Sequence, residues 1–164
     1  MNSNTTDDLP GWNWHIVESG QRWYEAVRAA GQWHPSPDTV ERWKLGQAAA
    51  LIDRLDGACQ ACVLLWELPA DARGFLDALA GITAVADLRP RVIQLAHPEA
   101  GGWNRETWHE CGMAVQEAGV SVLLADLWSV RVVARRLGQL GRSASNERTR
   151  YSPSQPPITG STHS

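Results

Sequence analysis

The chain has 164 residues, of which 43% are hydrophobic and 20% charged, with a formal net charge of −3. This length predicts one domain, large enough to bury a core without disulfide or metal staples. The mildly acidic balance argues against partners such as nucleic acid or an anionic membrane surface. The sequence contains neither an apolar run long enough for a membrane span nor the pattern of a secretion signal, so we expect a cytoplasmic protein.

Both ends of the chain are poor in residues that a core could bury. Residues 1–10 are rich in Asn, Thr and Asp, and residues 141–164 are rich in Ser and Pro and weakly basic. Such segments do not bury enough apolar surface to offset the entropy lost on ordering. We therefore predict a disordered N-terminus over 1–10, an ordered domain over 11–140 and a disordered tail over 141–164.

Short apolar runs predict the strands of this domain. In chain order they are Trp14–Glu18, Cys62–Leu68, Arg91–His97 and Val120–Asp126. The last three are almost continuously apolar, which is typical of parallel strands covered on both faces. Gln32–Pro37 stands where a further strand is expected, but its two prolines exclude a central strand. We therefore expect either no strand there or a short one at the sheet edge.

Helical patterns alternate with the strands. A first helix is predicted over Gln21–Ala30, and a second from the capping-box pattern Asp38-Thr-Val-Glu41 to Gly57. A third follows the cap Asp71, with Phe75, Leu76, Leu79 and Ile82 inward; a fourth follows Asn104, and the last covers Trp128–Leu140. This alternation predicts an α/β fold with three helix–sheet–helix layers and a short parallel sheet of four to five strands.

Four local patterns, taken in order, resemble the receiver domain of bacterial response regulators, which has a flavodoxin-like fold. They are Ile16-Val-Glu-Ser19, Leu65-Trp-Glu-Leu-Pro69 followed by Gly74-Phe-Leu, Leu95-Ala-His-Pro-Glu-Ala100, and Glu117-Ala-Gly-Val120 followed by Leu123-Leu-Ala-Asp126. The resemblance covers Trp14–Leu140. It implies a receiver-like strand order and a phosphorylation site at the carboxyl edge of the sheet.

The residues at the matching positions lack the chemistry of that site. The phosphoacceptor position falls on Leu65 or on Glu67, depending on the register, and neither is an aspartate. The positions of the acidic pair, the switch hydroxyl and the lysine hold Glu18 with Ser19, Ala96 and Ala125. Phosphoryl transfer needs an acceptor, a held Mg²⁺ and a cation for the developing charge. We therefore expect a degenerate pseudo-receiver: a non-catalytic interaction module in signalling or regulation, unphosphorylated and without cofactor or metal.

A second interpretation uses the polar residues that end the predicted strands. Open α/β sheets bind ligands at the carboxyl ends of their strands. Glu18, Glu67, His97 and Asp126 fall at that edge and could form a site for a small molecule or a metal ion, with hydrolysis as one use. The alternative is that they are ordinary solvated loop residues. Cys59 and Cys62 have zinc spacing, but His109 and Cys111 point to different sides of a helix and cannot both complete a site with them.

A candidate interface accompanies the predicted last helix. Arg131 and Arg135 lie one turn apart on its outer face, and Trp108 and Trp128 are expected nearby. Trp and Arg are the residue types that most often dominate protein interfaces. A partner protein or a second copy of the chain would bind there. The alternative is a solvated helix face whose arginines complement the helix dipole.

Overall fold

The computed structural model describes residues 12–31, 40–57, 61–88, 92–101, 103–126, 128–133 and 135–137. The two predicted disordered ends lie outside these described residues. So do the proline-containing segment 32–37, Cys59 and the predicted last residue of the final helix, Leu140.

Five parallel strands form one sheet in the order β2-β1-β3-β4-β5. The strands are β1 Asn13–Val17, β2 Val40–Trp43, β3 Cys62–Leu68, β4 Val92–Pro98 and β5 Val122–Leu123. Every neighbouring pair is parallel, so the carboxyl ends of the strands meet at one edge. This confirms the predicted α/β fold with a short parallel sheet.

Most of the helices begin and end near the predicted residues. They are α1 Arg22–Gly31, α2 Ala48–Asp56, α3 Ala72–Ala86 and α4 Arg105–Ala118, and we call the helical residues 128–133 and 135–137 α5. Two of the predicted N-terminal caps are confirmed: Asp71 accepts a hydrogen bond from the Gly74 backbone N–H at 2.7 Å, and Asn104 accepts one from the Thr107 backbone N–H at 2.8 Å. The third, Asp38, lies outside the described residues. Gly57 is the C-terminal cap of α2, also as predicted.

The predicted start of the second helix is wrong. Glu41, placed in its first turn, lies instead in the edge strand β2, where it pairs with His15 of β1. Val40 and Trp43 belong to the β-branched and aromatic types that favour strands, and the sheet contributes hydrogen bonds that a local capping pattern does not reveal. α2 begins only at Ala48, in a run of three alanines, the residue with the highest helix propensity. The sheet therefore has its edge strand, just beyond the prolines.

The strands β1 and β4 and the helix α1 are each shifted by one residue from their predicted bounds. The length of β5 and the inward face of α3 differ more from the prediction. β5 has two residues, far fewer than the predicted Val120–Asp126. The inward face of α3 is Ala78, Gly81, Ile82 and Val85, whereas Leu76 is 61% exposed. The small residues on this face matter because a Cβ on Gly81 would lie 2.6 Å from the ring of Trp66.

Two apolar cores sandwich the sheet. One core joins Trp66 and other strand residues to Leu51 of α2, Ile82 of α3 and Val115 of α4. The other joins strand residues to Trp23 of α1 and Val130 of α5. α2, α3 and α4 therefore form one helical layer, and α1 and α5 form the other.

Inside the first core, one polar side chain is fully paired. Gln94 is 0% exposed; its carbonyl accepts from Trp66 Nε1 at 2.9 Å, and its amide donates to the Ile82 carbonyl at 3.0 Å. Burial of a polar group is tolerated when such bonds are made. The pair fixes β3, β4 and α3 relative to one another.

None of the helices in the described part of the chain is long and apolar enough to cross a membrane.

Candidate functional site

The structure places all four predicted strand-end residues at the carboxyl edge of the sheet. Glu18 directly follows β1, Glu67 and His97 are register partners on β3 and β4, and Asp126 follows β5. Burial lowers the pKa of His97, and the nearby Glu67 charge is the smallest of the effects that oppose it. The hydrogen bonds from Ser129 lower the pKa of Asp126, and His97 adds the smallest contribution in the same direction. The question is what each side chain does there.

Glu18 is used as a helix cap. It is only 3% exposed, and its two carboxylate oxygens accept hydrogen bonds from the backbone N–H groups of Trp23 at 2.8 Å and Tyr24 at 3.1 Å. Both donors lie in the first turn of α1, where N–H groups have no partner within the helix. A carboxylate is also stabilised by the positive end of the helix dipole. Both oxygens of Glu18 are thus engaged in holding α1 against β1.

Glu67 ties the end of β3 to the loop that follows β1. Its Oε1 atom accepts from Ser19 Oγ at 2.8 Å and from the Ser19 backbone N–H at 3.3 Å. The two residues that match the family's acceptor position and acidic pair therefore bind each other. Leu65, the residue at the alternative acceptor position, is fully buried in the core beneath α1 and α5.

Asp126 caps α5. Its Oδ1 atom accepts from the backbone N–H of Ser129 at 2.8 Å and from Ser129 Oγ at 2.9 Å. The backbone bond and then the hydroxyl bond lower the pKa of this carboxyl, since both favour the ionised form. Asp126 is therefore a solvent-exposed cap, like Asp71 and Asn104 at the other helices.

His97 is the unusual member of the group. It is 6% exposed, and its ring lies 3.9 Å, centroid to centroid, from that of Trp23. Neither ring nitrogen makes a well-formed hydrogen bond, and neither does Trp23 Nε1. Burial lowers the pKa of His97; the nearby carbonyls of Pro98 and Ala125 oppose this only in part. Burial thus favours the neutral form of the His97 imidazole, which packs against the indole of Trp23.

Neither the strand-end residues nor the cysteines of the described segments form a metal site. No group of three or more His, Cys, Asp and Glu among them is arranged to hold an ion. Cys62 is buried on β3, and burial raises the pKa of the Cys111 thiol, which disfavours a metal-binding thiolate.

The candidate interface residues lie in two different layers. Trp128 is 66% exposed with the Arg131 guanidinium 5.7 Å from its ring centre, and Arg135 is exposed one turn further along α5. Trp108 is half-buried on α4 and packs edge-on against Trp103 at 6.1 Å. Trp103 belongs to the core beneath α2, α3 and α4. The structure therefore does not bring Trp108 and Trp128 together on one surface.

Sequence reasoning missed two features of this region. The stacking of His97 on Trp23 joins residues 74 positions apart, and no local pattern indicates it. Arg22 was not singled out, although it begins α1 and its guanidinium lies 5.3 Å from the ring centre of Trp23. The sequence signal that could have indicated this contact is an arginine directly before an inward-facing tryptophan at the start of a predicted helix.

A comparison with solved structures finds two matches. One is a CheY-like protein, TadZ, from Pseudomonas aeruginosa PAO1, with a TM-score of 0.57 and 17% identity over 78% of this chain and 94% of that one. The other is the diflavin flavoprotein A3 from Nostoc sp., with a TM-score of 0.46 and 15% identity over 86% of this chain and 97% of that one; this TM-score is too low to add support. No family model and no curated protein matches the sequence. The likeness to TadZ shows that the chain has a receiver-like, CheY-like fold, as the resemblance implied.

Proposed function

We propose that this receiver-like domain is a non-catalytic protein–protein interaction module in signalling or regulation, and that it receives no phosphoryl group at the carboxyl edge of the sheet. The observation that carries the proposal is the use of Glu18. Its carboxylate is buried and both of its oxygens are bonded to the backbone of α1. An acid committed in this way is a poor ligand for the Mg²⁺ that phosphoryl transfer requires.

The remaining parts of a phosphoryl-transfer site support the same proposal. The strand-end acceptor position is Glu67, whose Oε1 atom is held by Ser19. The position matching the family's lysine is Ala125, and the single lysine of the chain, Lys44, follows β2 instead. An alanine at this position cannot stabilise the charge that develops in the transition state, as the family's lysine would.

The interaction role is supported by α5. Trp128, Arg131 and Arg135 are exposed on it, and large aromatic and arginine side chains contribute disproportionately to binding energy at interfaces.

The test of the phosphorylation claim is an intact-mass measurement on the full chain after incubation with acetyl phosphate and Mg²⁺. A phosphorylatable receiver domain treated in parallel is the positive control. We expect the control to gain a phosphoryl group and this chain to gain none. A hydroxylamine-sensitive acyl phosphate on an aspartate or glutamate of this chain would overturn the proposal.

The interaction claim is tested by sedimentation velocity over a range of concentrations, alone and with cell-derived partners identified by crosslinking. We expect association that Arg135→Glu weakens. The matched control is Arg73→Glu, an arginine that is also exposed but lies on α3 in the opposite layer. Equal effects of the two variants would exclude the α5 surface.

A second candidate function is binding of a small polar molecule at the strand-end edge. It is favoured by one observation: both nitrogens of His97 are buried without a hydrogen-bond partner, close to the charges of Glu67 and Asp126. Thermal-shift measurements with divalent metals and with nucleotides test it. A rise in Tm that is lost in Glu67→Gln would favour this function over the interaction module, and no rise with any ligand would exclude it.

A further inference from the structure

The two helical layers carry opposite charge. The α1–α5 layer has five arginines and one glutamate in its described helical residues, a net charge of +4; they are Arg22, Arg28, Arg131, Arg135, Arg136 and Glu25. The layer of α2, α3 and α4 has three arginines and six acidic residues, a net charge of −3; they are Arg54, Arg73, Arg105, Asp53, Asp56, Asp77, Glu106, Glu110 and Glu117. The chain as a whole has a net charge of −3, so the α1–α5 layer is a basic face on an acidic protein.

This basic face contains an open groove of about 690 Å³ between α1 and α5. Gln21, Arg22, Glu25 and Ala26 line one side, and Trp128 and Arg131 line the other. Neither Arg22 nor Arg131 has an ion-pair partner within the described part of the chain. The groove thus has, on each side, one arginine without an ion-pair partner in the described segments.

Both arginines are held in place by tryptophans. The Arg22 guanidinium lies 5.3 Å from the ring centre of Trp23, which is fully buried, and that of Arg131 lies 5.7 Å from the ring centre of Trp128. Cation–π contacts of this kind restrict an arginine without neutralising it. Ordering these side chains before binding reduces the entropy that a partner must offset.

Trp128 is the apolar element of the groove. It is 66% exposed, whereas the other tryptophans in the described segments are buried or half-buried. An exposed indole beside an arginine is the typical composition of an interface hot spot.

We propose that this groove binds an acidic segment of a partner protein, with carboxylates at Arg22 and Arg131 and an apolar side chain against Trp128. The inference rests on the proposed interaction function and narrows its partner to one chemical class. The guanidinium fork pairs with carboxylates through two parallel hydrogen bonds, which gives geometric selectivity as well as attraction. The positive helix ends at α1 and α5 are already capped by Glu18 and Asp126, so the two arginines supply the recognition.

A short acidic segment fits this surface better than a nucleic acid does. The basic face is confined to the layer of α1 and α5, and the opposite layer is acidic. A long polyanion gains affinity by neutralising many phosphates along its length, and it would be repelled wherever it extended past the basic face toward the acidic layer. A peptide can confine its charges to the two arginines.

The experiment is a selection from a library of random linear peptides displayed on phage, with the full chain as bait. A parallel selection uses the double variant Arg22→Glu/Arg131→Glu. We expect the wild-type chain to enrich sequences rich in Asp and Glu with at least one apolar residue, and the double variant to enrich none of them. All substituted residues are exposed, and circular dichroism verifies that the variants fold.

The most enriched peptide is then synthesised and its Kd measured by fluorescence anisotropy. Arg131→Ala and Trp128→Ala should each weaken binding by about tenfold or more, as expected for hot-spot residues. Arg73→Ala, the matched control on α3, should leave the Kd unchanged. Added NaCl should also weaken binding.

Several results would overturn the inference. They are enrichment without an acidic bias, no enrichment at all, an unchanged Kd in the groove variants, and tighter binding of an oligodeoxythymidine than of the peptide. Non-acidic peptides that bind elsewhere would refute this inference while leaving the interaction module intact. An acyl phosphate in the mass measurement would refute the proposal that the module is not phosphorylated, but it would not bear on peptide binding in the groove.

Discussion

Removing the Glu18 carboxylate tests whether this residue is a structural cap or a residual metal ligand. The two roles predict opposite effects on stability. A free acid at an edge that also holds Glu67 and Asp126 adds like-charge repulsion, so its removal would leave stability unchanged or raise it. A cap that satisfies two backbone donors is stabilising, and its removal must destabilise the fold.

The magnitude follows from the contacts of Glu18. It is 3% exposed and accepts from the N–H groups of Trp23 and Tyr24. In Glu18→Ala both donors lose their acceptor, and an unsatisfied buried donor costs about 1–3 kcal/mol. Since the Tyr24 donor is only partly buried, we expect a total loss of about 2–4 kcal/mol. Glu18→Gln keeps one acceptor oxygen and should lose roughly half as much.

Urea denaturation followed by circular dichroism measures this loss. With a slope of roughly 2 kcal/mol per molar urea, Glu18→Ala should lower the midpoint by about 1–2 M. Glu117→Ala, an exposed acid on α4, is the control and should change stability by less than about 0.5 kcal/mol. A Glu18→Ala protein as stable as the wild type would refute the cap and reopen the case for a metal ligand.

Three further predictions concern the core and the buried imidazole. Gly81→Ala should destabilise the fold by about 1–2 kcal/mol although alanine has the better helix propensity, because the new Cβ would lie 2.6 Å from the fully buried Trp66 ring. The control is Gly46→Ala, whose Cβ would have no atom within 4 Å and which should be neutral or stabilising. Thermal melts of both variants measure the difference. Gln94→Leu should cost about 1–3 kcal/mol in urea titrations because it leaves the Trp66 indole N–H without an acceptor, and a neutral result would contradict the described pairing. Because burial lowers the pKa of His97, the folded protein binds a proton at this residue less readily than the unfolded chain does. The free energy of unfolding should therefore fall as the pH drops below about 6.5. The dependence of stability on pH should be weaker in His97→Phe, and an unchanged dependence would show that His97 does not contribute.

The fold was predictable wherever one segment carried its own signal. β3 was predicted with its observed bounds because a continuous apolar run between a small-residue segment and a proline admits few other structures. β2 was not predicted because its four residues become a strand only through pairing with β1, whereas the nearby Asp and Glu mimic a helix start. Long-range pairing decided this element.

For the candidate site, the positions of the residues could be predicted from the sequence, but their contacts could not. The parallel sheet topology is enough to place Glu18, Glu67, His97 and Asp126 at one edge, and that placement needs no side-chain information. What each residue does depends on rotamers and loop paths. The turn after β1 brings two backbone donors to Glu18, and Ser19 reaches Glu67 across 48 residues of sequence. Such contacts are not encoded in local periodicity.

The central claim is that the polar residues at the carboxyl edge of this sheet cap helices and hydrogen-bond loops, and do not form a phosphoryl-transfer site. The most direct test is a ¹H–¹⁵N spectrum of the full chain titrated with Mg²⁺ and beryllofluoride, a mimic of the bound phosphoryl group. The account predicts no saturable shift of the amides of Glu18, Ser19 and Glu67. A saturable, Mg²⁺-dependent shift of those amides would contradict it.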